Sequence, residues 1–451
     1  MTGGIGSRLW PLSNPDYPKQ FNQIFGNLSM LQKTLLRNKV FGKPIVFTNI
    51  EYKNVILKQA SEINIEIDIV LEPCMRSTTP CAIIASCIAQ EQGFRYVLLL
   101  PVDHYIEDDN DKSKTSDKYI KEIKKATRYA SDGVVTLGIK PSFASVSYGY
   151  IEVDELIDQQ VYKATRFIEK PDKQKAGYIF QDNRYFWNLG IFIFDADFML
   201  KQANLIQPQL FMLSLESYKQ AKKIDNITTL SCNLYEQMEA ISLDFAIMEH
   251  LNNLILVKVD FVWHDLGNWN SLWMLSEKDE QNNHFIGDVM ASGVTNSYVR
   301  SENKSTALLG LDNIIVVNTN DVIFIADKSK VEEVRHFAYH HLNIDANTVN
   351  YPNNKKSKFI DDWGYYEVID NGPSYKIKKL VISIKAKLSI HSEMDINECW
   401  IIVQGKLKFS TIDETRQLSE NDSVFIPNDQ VCNLVNIGQT ELHLIKIQIN
   451  L

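Results

Sequence analysis

Along residues 28–275 apolar residues recur in short runs separated by amphipathic stretches, the rhythm of a sheet whose strands are joined by covering helices. The runs at 43–49, 67–71 and 96–100 predict strands, and the stretches 52–63 and 79–92 predict helices between them. Residues 1–275 are therefore expected to form an α/β domain with a mostly parallel sheet. Beyond it the pattern changes. From 285 to 328 the runs are short, β-branched and broken by Gly and Asn, as at 313–318 and 321–326, which predicts a small β layer in a second domain, 276–342, ending in a helix at 331–342. The polar stretch 343–358, with Pro352, reads as a linker. Dense short β-runs from Trp363 to Leu451 predict a small β-barrel in a third domain, 343–451.

Composition narrows the function classes. A chain of 451 residues with 45% hydrophobic residues can fill several cores. Its net charge of −9 argues against a nucleic-acid surface, which needs a cationic stripe. Cys74, Cys81, Cys87, Cys232, Cys399 and Cys432 show no CxxC spacing, so reduced thiols are expected rather than a disulfide framework or zinc ribbon. No apolar run reaches membrane-spanning length, and no cationic segment precedes an apolar core at the N-terminus. The expectation is a soluble cytoplasmic protein, compatible with a homo-oligomer.

Candidate chemistry sits at the ends of the predicted strands, where ligands of such sheets gather. Gly3, Gly4 and Gly6 crowd into four positions, where missing Cβ atoms let backbone N–H groups close on an anion. Arg8 and Lys19 follow, so the first twenty-one residues read as a polyphosphate cradle with cations attached, although a Gly cluster alone also marks an ordinary turn. Asp103 follows the run at 96–100, and Asp265 follows Trp263-His264. Each alone reads equally as a cap or turn residue; as a pair they could grip Mg²⁺, which prefers oxygen ligands.

The run from Gly3 through Arg8-Leu9-Trp10-Pro11 to Pro18-Lys19-Gln20-Phe21 resembles the signature of the sugar-nucleotide pyrophosphorylases, and within them the bacterial long-form mannose-1-phosphate guanylyltransferases. Further motifs carry the likeness: Leu71-Glu72-Pro73 with Arg76, Pro101-Val102-Asp103-His104, Tyr148-Gly149-Tyr150-Ile151, Phe167-Ile168-Glu169-Lys170-Pro171, Trp187-Asn188-Leu189-Gly190, Ser242-Leu243-Asp244, and Trp263-His264-Asp265-Leu266-Gly267. The resemblance implies a Rossmann-like nucleotidyltransferase sheet and the reaction of GTP with mannose 1-phosphate to GDP-mannose and diphosphate, for polysaccharide or glycan precursors. Arg8, Lys19, Asp103 and Asp265 become the catalytic set, with Asp103 and Asp265 on Mg²⁺. Gly3, Gly4, Gly6, Arg76, Tyr148, Gly149, Glu169, Lys170 and Asn188 become substrate-binding residues, and Asp244 and Glu249 orient their neighbours. In the family a hydrophobic strand precedes the signature, whereas only Met1 and Thr2 stand before these glycines. Asn14, Ser77, Ser147 and Leu189 also depart from the pattern. An inactive or truncated remnant, or a nucleotidyltransferase for another sugar 1-phosphate, stays open beside the main reading.

The third domain resembles the cupin of these long forms, often a mannose-6-phosphate isomerase. Of the family's metal ligands only Glu398 is retained, with His391, Glu393 and Cys432 at the others' places and Ile396 for an Arg. A re-formed Zn²⁺ site of His391, Glu393, Glu398 and Cys432 is one reading. The other is a degenerate cupin without isomerase activity, kept for stability or oligomerisation.

Overall fold

A computed structural model describes the chain except for residues 3–5, 16, 108–116, 132, 303, 342–357, 362, 372–373, 392–395, 413, 427–429 and 451. The predicted strands form at Ile45–Asn49, Asp68–Glu72 and Tyr96–Leu99, and the predicted helices at Lys53–Glu62 and Thr79–Glu91. Helix Thr79–Glu91 is apolar nearly all round, with Ala82, Ile83 and Ile84 inaccessible. It is accordingly buried on several sides, packed by helices Ala196–Ile206 and Pro208–Lys219.

The strands fall into two sheets. One runs Ile45–Asn49, Asp68–Glu72, Ile227–Thr229 in parallel, with Lys222–Ile224 antiparallel at its edge. The other has six strands in the order Tyr96–Leu99, Tyr185–Asp195, Val134–Ile139, Leu254–Lys258, Val161–Ile168, Tyr150–Asp158. Among its described residues only Val134–Ile139 and Leu254–Lys258 pair in parallel. The architecture is thus mixed where the apolar rhythm suggested a mostly parallel sheet. Apolar runs report burial and not direction, whereas the two residues between Tyr150–Asp158 and Val161–Ile168 are too few for a crossover and leave only an antiparallel hairpin.

Met1 and Thr2 lie in the lane between the two sheets. Thr2 N–H donates to Phe47 O at 3.0 Å on one side, and on the other Met1 O accepts from Val102 N at 3.3 Å while the Met1 ammonium donates to Leu100 O at 3.0 Å. The signature that follows is therefore anchored at the carboxyl ends of Ile45–Asn49 and Tyr96–Leu99.

The second domain stacks His284–Ile286, Tyr298–Ser301 and Ile314–Asn318 in parallel and closes with Ile323–Asp327. The helix expected at 331–342 is a 3-10 turn, Lys328–Glu333, running into Val334–His341. Its early start follows from Asp327, whose side chain accepts from Ser329 N and caps the first turn. The inner face of this layer shares one core with the signature: Tyr298, Ile315, Val317 and Phe324 pack with Leu9, Trp10, Leu12 and Trp269.

In the third domain a six-stranded and a four-stranded sheet enclose Leu380, Ile382, Trp400, Ile402, Phe409, Leu434 and Leu444. The polar stretch expected as a linker lies almost wholly outside the described residues. Among the described residues no helix is long and apolar enough to cross a membrane.

Candidate active site

The site is built where three loops meet. Gly6 takes φ +65°, and a Cβ there would stand 2.7 Å from Ser13 Oγ and 3.0 Å from Lys19 Cβ, so glycine lets the loop press on Lys19. Lys19 opens the 3-10 turn Lys19–Phe21 after Pro18 and is 8% exposed. Its ammonium lies 3.0 Å from Asp103 Oδ2 and donates to the Asp265 carbonyl oxygen at 2.7 Å. Asp103 follows strand Tyr96–Leu99; Asp265 follows strand Val262–His264, and the turn after it places Leu266 at φ +51°. That turn returns Gly267 N–H to Asp265 Oδ1 at 3.1 Å, and Tyr148 donates its hydroxyl to the same oxygen at 2.9 Å.

These contacts set the charge. Burial pushes the Asp103 carboxyl up, but Lys19 and His104 more than offset it and hold it below the ordinary range. Asp265 is held well below that range, because the contacts of His264, the charge of Lys19 and the Tyr148 hydroxyl outweigh a large burial effect. His264 Nδ1 is 3.4 Å from Asp265 Oδ1 but accepts from Leu266 N at 3.1 Å, so its lone pair is already engaged. We therefore credit Lys19 and Tyr148 with more of the effect. Burial lowers His104, whose Nδ1 accepts from Trp263 Nε1 at 3.2 Å. Two ionised carboxylates, hard oxygen donors over one lysine, fit a divalent cation of the magnesium type, which keeps several waters and takes few protein ligands.

A second constellation begins one residue after Tyr148. A Cβ on Gly149 would meet Glu169 Oε2 at 2.5 Å and Asn188 Cβ at 3.4 Å. Glu169 forms an ion pair with Lys170, which adopts φ +41°, a conformation that costs a non-glycine residue about 1 kcal/mol or more. Asn188 N–H donates to Gly149 O at 2.8 Å, its Oδ1 accepts from Thr136 Oγ1 at 2.8 Å, and its Nδ2 donates to Asp244 Oδ1 at 3.2 Å. Burial, and then the charge of Glu169, push Asp244 up to about 7. Carboxylates, an amide and an ammonium on one wall suit hydroxyls and a phosphate monoester.

Arg8 stands apart from the lysine knot. With Tyr148, Asp265, Gly267, Asn268 and Glu332 it lines a cleft of about 150 Å³. Glu332 comes from the second domain and accepts from Asn268 Nδ2, the side chain that caps helix Trp269–Leu275.

Of the residues singled out from the sequence, Lys19, Asp103, Tyr148 and Asp265 come together, with Arg8 on the cleft wall beside Tyr148 and Asp265, as do Gly149, Glu169, Lys170 and Asn188. Gly6 supports Lys19. Gly3 and Gly4 lie outside the described residues. Arg76 is elsewhere in its contacts: its guanidinium donates to Glu236 O at 2.6 Å and to Met75 O at 3.1 Å. Sequence reasoning missed Thr136 and Glu332. Glu332 carried no signal, whereas Asn268 three residues before Ser271 is a readable cap. Glu72, quoted only within its motif, is a half-buried carboxyl that accepts from Tyr235 and Cys81, and desolvation raises it.

Comparison with known proteins places this geometry. A family model described as nucleotidyl transferase matches residues 1–282, and one described as mannose-6-phosphate isomerase C-terminal matches residues 350–451. Mannose-1-phosphate guanylyltransferase RfbM of Salmonella typhimurium is 33% identical, over 99% of this chain and 93% of its own length. The alginate biosynthesis protein AlgA of Pseudomonas aeruginosa is 30% identical, over 99% of this chain and 92% of its own. Among solved structures, a Thermus thermophilus protein described as mannose-1-phosphate geranyltransferase superposes with a TM-score of 0.67 at 27% identity, covering 76% of this chain and 97% of its own.

Proposed function

Since this chain belongs to the nucleotidyl transferase family and matches mannose-1-phosphate guanylyltransferases along nearly its whole length, we propose that it joins GTP and mannose 1-phosphate into GDP-mannose, releasing diphosphate. The relatives named for alginate and xanthan biosynthesis support a place in polysaccharide precursor supply.

In this reading a phosphate oxygen of the sugar 1-phosphate attacks the α-phosphorus of GTP, and the bond from that phosphorus to the β-phosphate bridging oxygen breaks. The nucleophile is already ionised, so no general base is required; the barrier lies in bringing two anions into line and spreading the developing charge. Asp103 and Asp265 would hold Mg²⁺, which would supply neutralisation of phosphate charge. Lys19 spends two donors on Asp103 and the Asp265 carbonyl, which fixes the acid pair, and we assign its remaining donor to a phosphate oxygen. Arg8, on the cleft wall beside Asp265, takes the leaving diphosphate. Lys170 holds the sugar phosphate, while Glu169 and Asn188 meet sugar hydroxyls. Tyr148 orients Asp265 through its 2.9 Å bond, so its part is positioning more than direct contact.

The observation that carries the reading is the lysine knot itself, Lys19 between Asp103 and Asp265. Diphosphate release from purified protein, measured for each NTP against mannose, glucose and other hexose 1-phosphates, tests it. GTP with mannose 1-phosphate is expected to dominate; faster release with another pair, or none with any, overturns the assignment.

A further inference from the structure

We propose that in the C-terminal barrel the Lys446 ammonium has taken the place of a divalent metal ion, so that this cupin carries its cation as part of its own chain. Glu398, the one residue matching the family's ligand pattern, is 1% exposed and faces inward from strand Ile396–Gln404. Its carboxylate is already engaged. Lys446 Nζ lies 2.7 Å from Oε1, Gln448 Nε2 donates to the same oxygen at 2.9 Å, and Trp400 Nε1 donates to Oε2 at 2.9 Å.

The register explains why the knot closes. Gln448 is paired directly opposite Glu398 across the two strands, and Lys446 is paired opposite Trp400. The four side chains thus share one inner face as direct and diagonal neighbours. Lys446 is 6% exposed and its ammonium stands 5.2 Å from the centroid of the Trp400 ring, which attracts a cation through its quadrupole. Unlike Asp103, whose side chain is 24% exposed, Glu398 has both oxygens engaged and out of reach of solvent, so a metal ion there would have to displace a buried ammonium or share the carboxylate with a like charge. Cys432 is buried in the same core, near enough to feel Glu398 and Lys446, and burial, then the charge of Glu398, push its thiol up and away from the thiolate a metal would need. Glu393 and the side chain of His391 lie outside the described residues. Among the described residues no group of three His, Cys, Asp or Glu side chains is placed to hold a metal.

The test uses the full chain with Asp265→Asn, so that the catalytic cleft is weakened as a second cation site. Protein incubated with Zn²⁺ or Mn²⁺ and desalted is analysed for bound metal, and its thermal midpoint is measured with and without EDTA. Without further change it is expected to retain less than about 0.1 equivalent of metal that depends on Glu398, with a midpoint indifferent to EDTA. Lys446→Met leaves a buried carboxylate unpaired, so the midpoint falls. The double variant Lys446→Met/Glu398→Gln removes both charges and recovers most of the loss, which keeps the test decisive even where Lys446→Met alone fails to fold. One equivalent of metal that Glu398→Gln abolishes while Lys446 is intact overturns the proposal, as does an unchanged midpoint for Lys446→Met. Metal that Glu398→Gln leaves in place is bound outside the barrel knot and supports it.

Discussion

Lys19 stands 3.0 Å from Asp103, a residue 84 positions later in the chain, and the same ammonium reaches the backbone of Asp265. One basic side chain thereby fixes the spacing of both carboxylates. Lys19→Met should lower turnover by on the order of 10²-fold, the effect of losing one preorganised charge, and destabilise the fold by roughly 1–3 kcal/mol, because Asp103 is left without its counter-charge. Steady-state kinetics and urea denaturation check the two parts. The variant should also move Asp103 upward. In the intact protein the lowered Asp103 and Asp265 contribute stability that is present above the ordinary carboxylate range and is lost as pH falls through their folded values.

Asp244 has the opposite sign. Its folded value of about 7 lies above its ordinary 3.8, so the folded state binds the extra proton between those limits. Stability from this group is full below about pH 4 and declines as pH rises toward 7. Asp244→Asn should flatten that part of the stability curve. It should also weaken the pH dependence of KM for the sugar 1-phosphate near neutrality, since Asn188 would keep a partner whose charge no longer changes. Denaturation curves from pH 4 to 8 and KM over the same range are the measurements.

Gly149 is required by contact. A methyl group there would sit 2.5 Å from the Glu169 carboxylate and 3.3 Å from the Phe167 ring. Gly149→Ala should force Glu169 aside, raising KM for the sugar substrate about tenfold with a smaller change in kcat, at a stability cost of roughly 1–3 kcal/mol.

The second domain holds the N-terminal signature loop from behind. Trp269 is fully buried and donates to Trp10 O at 3.0 Å, while the Trp10 ring meets Phe324 edge-on at 5.6 Å between centroids. Trp269→Ala should destabilise by about 3–5 kcal/mol and depress activity even at temperatures where the protein stays folded. Differential scanning calorimetry beside rate measurements separates the two. Phe324→Ala should show the same pairing of effects more weakly.

Much of this was legible in the chain because the chemistry sits at strand ends and strand ends are marked by turns. Asp103 after one apolar run and Asp265 after another could be paired before any coordinates, and Gly149 and Asn188 lay in short quoted motifs. Strand direction was hidden, since Tyr185–Asp195 reads the same whichever way it enters the sheet. Tyr148 was legible as part of a motif, but its bond to Asp265 spans 117 positions and leaves no local trace. Glu332 sits in a helical turn of another domain with nothing to distinguish it from a solvated glutamate. Lys446 did leave a trace: Leu442, Leu444, Lys446 and Gln448 alternate onto one buried face, and a lysine in such a row needs a buried partner. The motif match at Arg76 carries no information about which way its guanidinium turns, here onto the Glu236 and Met75 carbonyls.

The acid pair and its lysine are tested most directly by diphosphate release as a function of Mg²⁺ concentration, at saturating GTP and mannose 1-phosphate, for the unaltered protein and for Asp265→Asn. Release by the unaltered protein should rise with Mg²⁺ and stop with EDTA. The variant should be slower by on the order of 10³-fold or more at every Mg²⁺ concentration, with an unchanged circular-dichroism spectrum. Turnover by Asp265→Asn within about tenfold of the unaltered rate would contradict the assignment of Asp103 and Asp265 as the carboxylates on which the transfer depends.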